Sequence, residues 1–188
     1  MIGTMNSKAA ALLSNPNPCG HIVYPYTMET QVAEAVCLFA SAGLSKGEAV
    51  VLVMKADHRG PIRHRLEQEG LNLKQLEGSG QLICADAEDL LYTFMFDGII
   101  DELVFKTKVG KLIERAKASG GTHRPVRVFG EMVDLIWKSN LQTTQRLEEL
   151  WNDVIGAYSV PLLCAYSLLG TKSSVLPAPL MACHSHAI

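Results

Sequence analysis

Glu48-Ala49-Val50-Val51-Leu52-Val53-Met54 (EAVVLVM, residues 48–54) is a short, unbroken apolar run rich in valine. A strand with one wet face alternates apolar and polar positions, whereas a strand covered on both faces reads as continuously apolar. The run is therefore an interior strand of a parallel sheet. Four other stretches share this character: residues 21–26 (HIVYPY), 81–85 (QLICA), 126–129 (VRVF) and 160–166 (VPLLCAY). In the last, Pro161 lies near the start, where a missing N–H is tolerated.

Helical patterns separate the strands. Residues 28–42 place Val32, Val36, Phe39 and Ala40 on one face, and Gly43 before Leu44 fits a helix end with a left-handed glycine. Pro61 suits an early position of a second helix over 62–69, which Gly70-Leu71 stops in the same way. Asp86 can cap a helix over 87–96, and Asp101 the next. The buried stripe of that next helix is Phe105, Val109, Leu112, Ile113 and Ala116. Its Lys106, Lys108, Lys111, Arg115 and Lys117 read as a solvated face, and Gly120-Gly121 ends it. Leu147, Leu150, Trp151, Val154, Ile155 and Tyr158 recur at helical spacing on a last helix.

Strands alternating with helices imply right-handed crossover units. The expected architecture is α/β, a three-layer sandwich with a mostly parallel central sheet. Residues 1–18 read as a flexible leader, 19–169 as the domain and 170–188 as a loose C-terminal tail, with no internal repeat.

With 48% hydrophobic residues and a formal net charge of −2 over 188 residues, general disorder is excluded. The balance argues against direct nucleic-acid binding, which calls for a basic stripe. No apolar run reaches the ~18 residues of a membrane span, and the apolar patch at 9–13 is too short for a signal peptide. Cys19, Cys37, Cys84, Cys164 and Cys183 fit no zinc spacing. Free, mostly buried thiols point to a cytoplasmic protein.

In open α/β sheets, ligands bind outside the carboxyl ends of the strands. A nucleotide hydrolase would carry G-x-x-x-x-G-K-[ST] there, its glycine amides wrapping the phosphates. Here the loop after the first strand is Tyr26-Thr27-Met28-Glu29-Thr30, without Gly or Lys, and Glu29 repels phosphate. No G-x-G-x-x-G follows a strand, and no G-x-S-x-G nucleophile elbow is present. Lys55, His58 and Arg59 gather positive charge beside a helix N-terminus, which favours an anion; a solvated charged loop is the plainer alternative.

Glu131, after Gly130 and before an apolar segment, is the sharpest single position. A carboxylate in such surroundings must be paired or protonated. It can bind a cation, polarise a water or hydrogen-bond a ligand; alternatively it caps a helix. Tyr24, Tyr26, Trp137 and Tyr166 offer an aromatic lining to a ligand site, or ordinary core packing. Cys183, His184 and His186 put three metal-binding groups in the tail, one short of a zinc set. No catalytic residue, metal or cofactor is expected.

The ordered series of features resembles a known family. It runs through residues 21–24 (HIVY) with Tyr26, 39–48 (FASAGLSKGE), 65–66 (RL) to 70–71 (GL), and 80–82 (GQL). It continues through 127–132 (RVFGEM), 147–152 (LEELWN) and 162–166 (LLCAY). This is similar to the MEDS domain, the methanogen/methylotroph sensory domain of bacterial and archaeal signalling proteins. The resemblance implies a RecA/KaiC-like fold without an intact phosphate loop, with Glu131 near the Walker B position of those ATPases.

It further implies a non-catalytic module that senses small molecules, including C1 or halogenated hydrocarbons. The expected ligand is a small organic molecule held by Tyr24, Tyr26, Lys55, His58, Arg59, Glu131, Trp137 and Tyr166. With no kinase, helix-turn-helix or receiver segment in the chain, output is expected through a partner such as a histidine kinase or transcription regulator. Homo-oligomers are compatible with RecA-like relatives. Two other readings stay open: a KaiC-like nucleotide binder or ATPase remnant, with Glu131 as base or Mg²⁺ ligand, and a protein–protein adaptor without a ligand.

Overall fold

The computed structural model describes residues 5–121 and 123–188. In chain order the elements are α1 (Ser7–Ser14), β1 (His21–Tyr26), α2 (Glu29–Ser45), β2 (Ala49–Met54), α3 (Ala56–Gln68), α4 (Leu73–Gly78), β3 (Leu82–Asp86) and α5 (Ala87–Tyr92). A small hairpin follows, β4 (Met95–Phe96) and β5 (Ile99–Ile100), then α6 (Glu102–Lys117), β6 (Val126–Gly130), α7 (Leu141–Tyr158), β7 (Leu162–Ser167), α8 (Ala178–Ala182) and β8 (His186–Ala187). All five apolar runs are strands.

One six-stranded sheet has the order β3-β2-β6-β7-β1-β8, and every pairing in it is parallel. The two-residue period of a strand sends alternate side chains to opposite faces. Ala49, Val51 and Val53 join Val128, Leu162, Cys164 and Tyr166 beneath α5, α6, α7 and α8. Val50, Leu52 and Met54 join Phe129, Leu163 and Ala165 beneath α1, α2 and α3. The expected three-layer α/β sandwich is what the chain forms. Among the described residues no helix is long and apolar enough to cross a membrane.

Asp86 caps α5 by accepting from the backbone N–H groups of Glu88 and Asp89, and Asp101 caps α6 by accepting from that of Val104. Two expected helix boundaries move. Gly43 does not end α2, which runs on to Ser45 before Gly47 turns at φ +80°. Gly43 serves close approach instead: a Cβ there would sit 2.7 Å from Arg127 Nε. Pro61 does not open α3 but lies inside it, so His58 and Arg59 stand in the first turns of that helix. The short α5 also stops at Tyr92, where residues up to 96 were expected to be helical, because the chain turns into the β4–β5 hairpin.

The ends of the chain are not loose where they are described. Leu13 of α1 is fully buried, and Arg127 crosses from β6 to donate to the Leu13, Ser14 and Phe39 carbonyls at 3.1–3.2 Å while pairing with Glu48. At the other end Leu176 and Leu180 are buried, and β8 pairs alongside β1. Apolar residues at those positions bury surface that no flexible segment would cover. Residues 1–4 of the expected leader lie outside the described residues.

The order of connections creates a switch point. α3 leaves β2 on one face of the sheet, and α7 follows β6 on the other, although β2 and β6 are neighbours. Their carboxyl ends therefore open a crevice between diverging chains, the place where such sheets bind ligands.

Candidate functional site

Lys55 follows β2 and Glu131 follows β6, so the crevice brings them together. The Glu131 N–H donates to the Val53 carbonyl at 3.1 Å, extending the β2–β6 ladder by one residue. This fixes the carboxylate with 0% exposure. Its Oε2 accepts the Lys55 backbone N–H at 2.9 Å, and its Oε1 accepts from His58 Nδ1 at 2.5 Å. Of the two readings of Glu131, the capping one is seen, though at the start of α3, a helix other than its own, where it satisfies an orphan donor; it also holds an ionisable partner, His58.

His58 is 5% exposed and lies between two carboxylates, Nδ1 on Glu131 and Nε2 on Glu29 from the first turn of α2. Only the imidazolium can donate from both nitrogens. Burial acts to lower the His58 pKa, but the hydrogen bond and charge of Glu131, with the hydrogen bond of Glu29, outweigh it and hold it above the ordinary value. Lys55 Nζ donates to Asp134 Oδ2 at 2.6 Å and to the Tyr26 hydroxyl at 3.0 Å. Burial disfavours its charge, yet these partners keep its pKa raised. Asp134 Oδ1 accepts from the Ser167 N–H at 2.6 Å and from Trp137 Nε1 at 3.1 Å.

Four of the eight expected site residues are therefore linked: Tyr26, Lys55, His58 and Glu131. Trp137 reaches the same network only through Asp134, and otherwise faces a groove of about 930 Å³ against residues 170–181. Arg59 turns away to Asp86 at 3.1 Å. Tyr24 is half-buried on the α2 side of β1, outside the network. Tyr166 is on the opposite face of the sheet, its hydroxyl donating to Glu148; strand parity, one residue from an inward to an outward position, decides that.

Two members of the network carried no positive signal in the sequence. Glu29 stood out only as a charge hostile to phosphate, and Asp134 falls in a 3₁₀ turn (Met132–Leu135) that the pattern does not announce. The spacing of Asp134 three residues after Glu131 was the one available hint.

A cleft of about 360 Å³ opens between α2 and α3 over this network. Glu29, Lys55 and His58 form its polar floor, with Thr30, Ala33 and Pro61 among its less polar walls. The volume lies in the ~300–1,000 Å³ range of small-molecule sites. Two of its cations are matched, Lys55 by Asp134 and His58 by two carboxylates, while Arg65 and Asp57 add one charge of each sign to its lining. At the start of α2, Gln31 Oε1 accepts the Thr27 and Met28 N–H groups at 2.9 and 3.0 Å. Cys84 and Cys37 are poor nucleophiles: burial first, then Glu77, pushes Cys84 up to about 11, and burial first, then Glu69, pushes Cys37 up to about 12.

Comparisons with known proteins agree with this architecture. No curated protein sequence matches the chain. Among solved structures, the crystal structure of a KaiC-like protein from the hyperthermophilic archaeon Pyrococcus horikoshii OT3 is similar, with a TM-score of 0.56 and 13% identity. The alignment covers 84% of this chain and 65% of that one, so the present chain spans less than two thirds of its neighbour. The likeness establishes a RecA/KaiC-like fold. A family model described as the methanogen/methylotroph, DcmR sensory domain matches residues 20–185. Nearly the whole chain is matched, and it belongs to the MEDS family of sensory domains.

Proposed function

We propose that the chain is a non-catalytic receptor for a small organic molecule, which enters the cleft between α2 and α3 and acts on the Glu29–His58–Glu131 relay. The carrying observation is that His58 lines the cleft while buried between carboxylates from two other elements. Glu131 is wholly buried, but Glu29 is 55% exposed and can be displaced. A ligand that offers His58 another hydrogen-bond acceptor releases Glu29, and with it the first turn of α2. A ligand shifts a conformational equilibrium only through such differential contacts. The moved helix end is what a histidine kinase or transcription regulator would read.

The matching of Lys55 and His58, with Glu29 and Asp57 also in the lining against the one further cation Arg65, favours a small neutral or weakly polar ligand over a phosphate, since an incoming anion would have to compete with carboxylates already there. The Thr27 and Met28 amides just ahead of α2, already used by Gln31, favour the same reading. The test is a thermal-shift and calorimetric screen of the wild type against C1 compounds, halocarbons, small amines, organic acids and Mg²⁺-ATP. The expected hit is an uncharged small molecule whose binding weakens in Glu29→Gln and His58→Gln. Tight Mg²⁺-ATP binding with hydrolysis overturns the proposal in favour of a nucleotide enzyme. A complete absence of stabilising compounds, with signalling intact in His58→Gln, overturns it in favour of an adaptor.

A further inference from the structure

On the other face of the sheet, four ligating side chains from four parts of the chain converge: His21 of β1, Glu148 of α7, Cys164 of β7 and His184 beyond α8. Val23 and Cys164 are register partners in the β1–β7 pairing, so His21 and Cys164 project to the same side. Glu148 descends on them from α7, and the folded C-terminal segment brings His184. All four donor atoms lie within 4.8 Å of one another.

From these positions we propose that His21, Glu148, Cys164 and His184 bind one zinc-class divalent transition-metal ion. Zn–N and Zn–O bonds of about 2.0–2.1 Å with a Zn–S bond of about 2.3 Å make the edges of a tetrahedron ~3.3–3.5 Å long. Three distances match such edges: His21 Nε2 to Glu148 Oε2 is 3.2 Å, His21 Nε2 to Cys164 Sγ 3.4 Å and Cys164 Sγ to Glu148 Oε2 3.6 Å; His184 Nε2 meets the other carboxylate oxygen, Oε1, at 3.2 Å, within the 4.8 Å that spans all four donors.

The histidines are oriented for ligation. His21 Nδ1 faces Asn152 Oδ1 at 2.9 Å and the Cys183 carbonyl at 3.2 Å, and His184 Nδ1 faces the Leu180 carbonyl at 2.8 Å. Acceptors at Nδ1 place the proton there and leave Nε2 with its lone pair, as in histidine ligands generally. Both Nε2 atoms then point at the Glu148 carboxylate, an arrangement that calls either for a second proton on each ring or for one cation shared between the three groups, and a single bound ion serves all three at once. His184 Nε2 adds a further sign: its side chain is 1% exposed, and although Glu148 Oε1 lies 3.2 Å away, that buried nitrogen makes no hydrogen bond of acceptable geometry. Glu148 is steadied by the Tyr166 hydroxyl, and Asn152 Nδ2 holds the Cys183 carbonyl at 3.0 Å.

A divalent ion with one thiolate, one carboxylate and two neutral imidazoles is electrically balanced; the Cys164 proton leaves to solvent on binding. Four protein ligands close the coordination, the mark of a structural site. The ion would staple residues 178–187 to the sheet. Of the tail's three candidate ligands only His184 takes part, for Cys183 Sγ donates to the Pro179 carbonyl at 3.3 Å.

The experiment loads the untagged full chain, stripped by chelator, with Co²⁺. The expected result is about one equivalent per chain, visible ligand-field bands of a tetrahedral ion and a near-ultraviolet thiolate-to-cobalt band. That last band is lost in Cys164→Ser, and Asn152→Ala weakens binding about 10–100-fold. X-ray absorption of the Zn²⁺-loaded wild type should show one sulfur and three lighter ligands, which keeps the test decisive if Cys164→Ser fails to fold. Failure to take up stoichiometric Co²⁺, or a thiolate band that survives in folded Cys164→Ser, overturns the proposal.

Discussion

Replacing Glu131 by Gln swaps one buried oxygen for an amide and deletes one charge. Glu131 now accepts from His58 Nδ1 on one oxygen and from the Lys55 N–H on the other. Glutamine has a single acceptor oxygen, so one of these donors must face an NH₂ group. An unsatisfied buried donor costs about 1–3 kcal/mol, and stripping the partner from a buried charge about 3–5 kcal/mol. His58 retains Glu29, so the expected loss is about 3 kcal/mol. For a domain of this size that lowers Tm by about 6–12 °C.

The loss depends on pH through His58, which faces Glu131, Glu29, Lys55 and Tyr26. Its folded pKa is raised, so its stabilising effect is complete below the unfolded value of about 6.5 and disappears as pH climbs through the folded value. The gap between wild type and Glu131→Gln should be widest below about pH 6.5 and narrow on the alkaline side. Urea unfolding at several pH values measures the gap, and NMR titration of the His58 ring should show its pKa falling in the variant. A variant within about 0.5 kcal/mol of wild type, with an unchanged His58 titration, would refute the pairing argument.

Other substitutions test the scaffold. Gly43→Ala should destabilise despite alanine's better helix propensity, because its Cβ would meet Arg127 Nε at 2.7 Å, whereas Gly156→Ala in α7, with open space around it, should gain about 0.5–1 kcal/mol; thermal denaturation of the two compares them directly. Leu13→Ala should cost about 2–5 kcal/mol in urea unfolding, as for any fully buried leucine, while a value near zero would return α1 to the status of a dispensable leader. Arg127→Lys should lose much of the stability of the α1 docking, since an ammonium cannot reproduce the forked pairing with Glu48 and three carbonyls, and faster proteolysis before residue 20 would report it.

The strands and the layer architecture were readable in residues such as Val50 to Val53, because a strand buried on both faces needs apolar residues at every position. The Asp86 and Asp101 caps were equally local, resting on contacts within three residues. The placing of Glu131 directly after an apolar strand announced a carboxylate that must find partners. Which partners it finds was not in the sequence. Glu29, His58 and Glu131 are far apart in the chain, and the strand order β2-β6 with α2 alongside α3 is what brings them within hydrogen-bond reach. The same holds for His21, Glu148, Cys164 and His184, which share no spacing motif and meet only because β1 and β7 pair and the C-terminal segment folds back. Periodicity and capping act over a few residues and are written into the chain; the matching of charges across the sheet ends follows from which strands become neighbours, and the packing of the whole domain decides that.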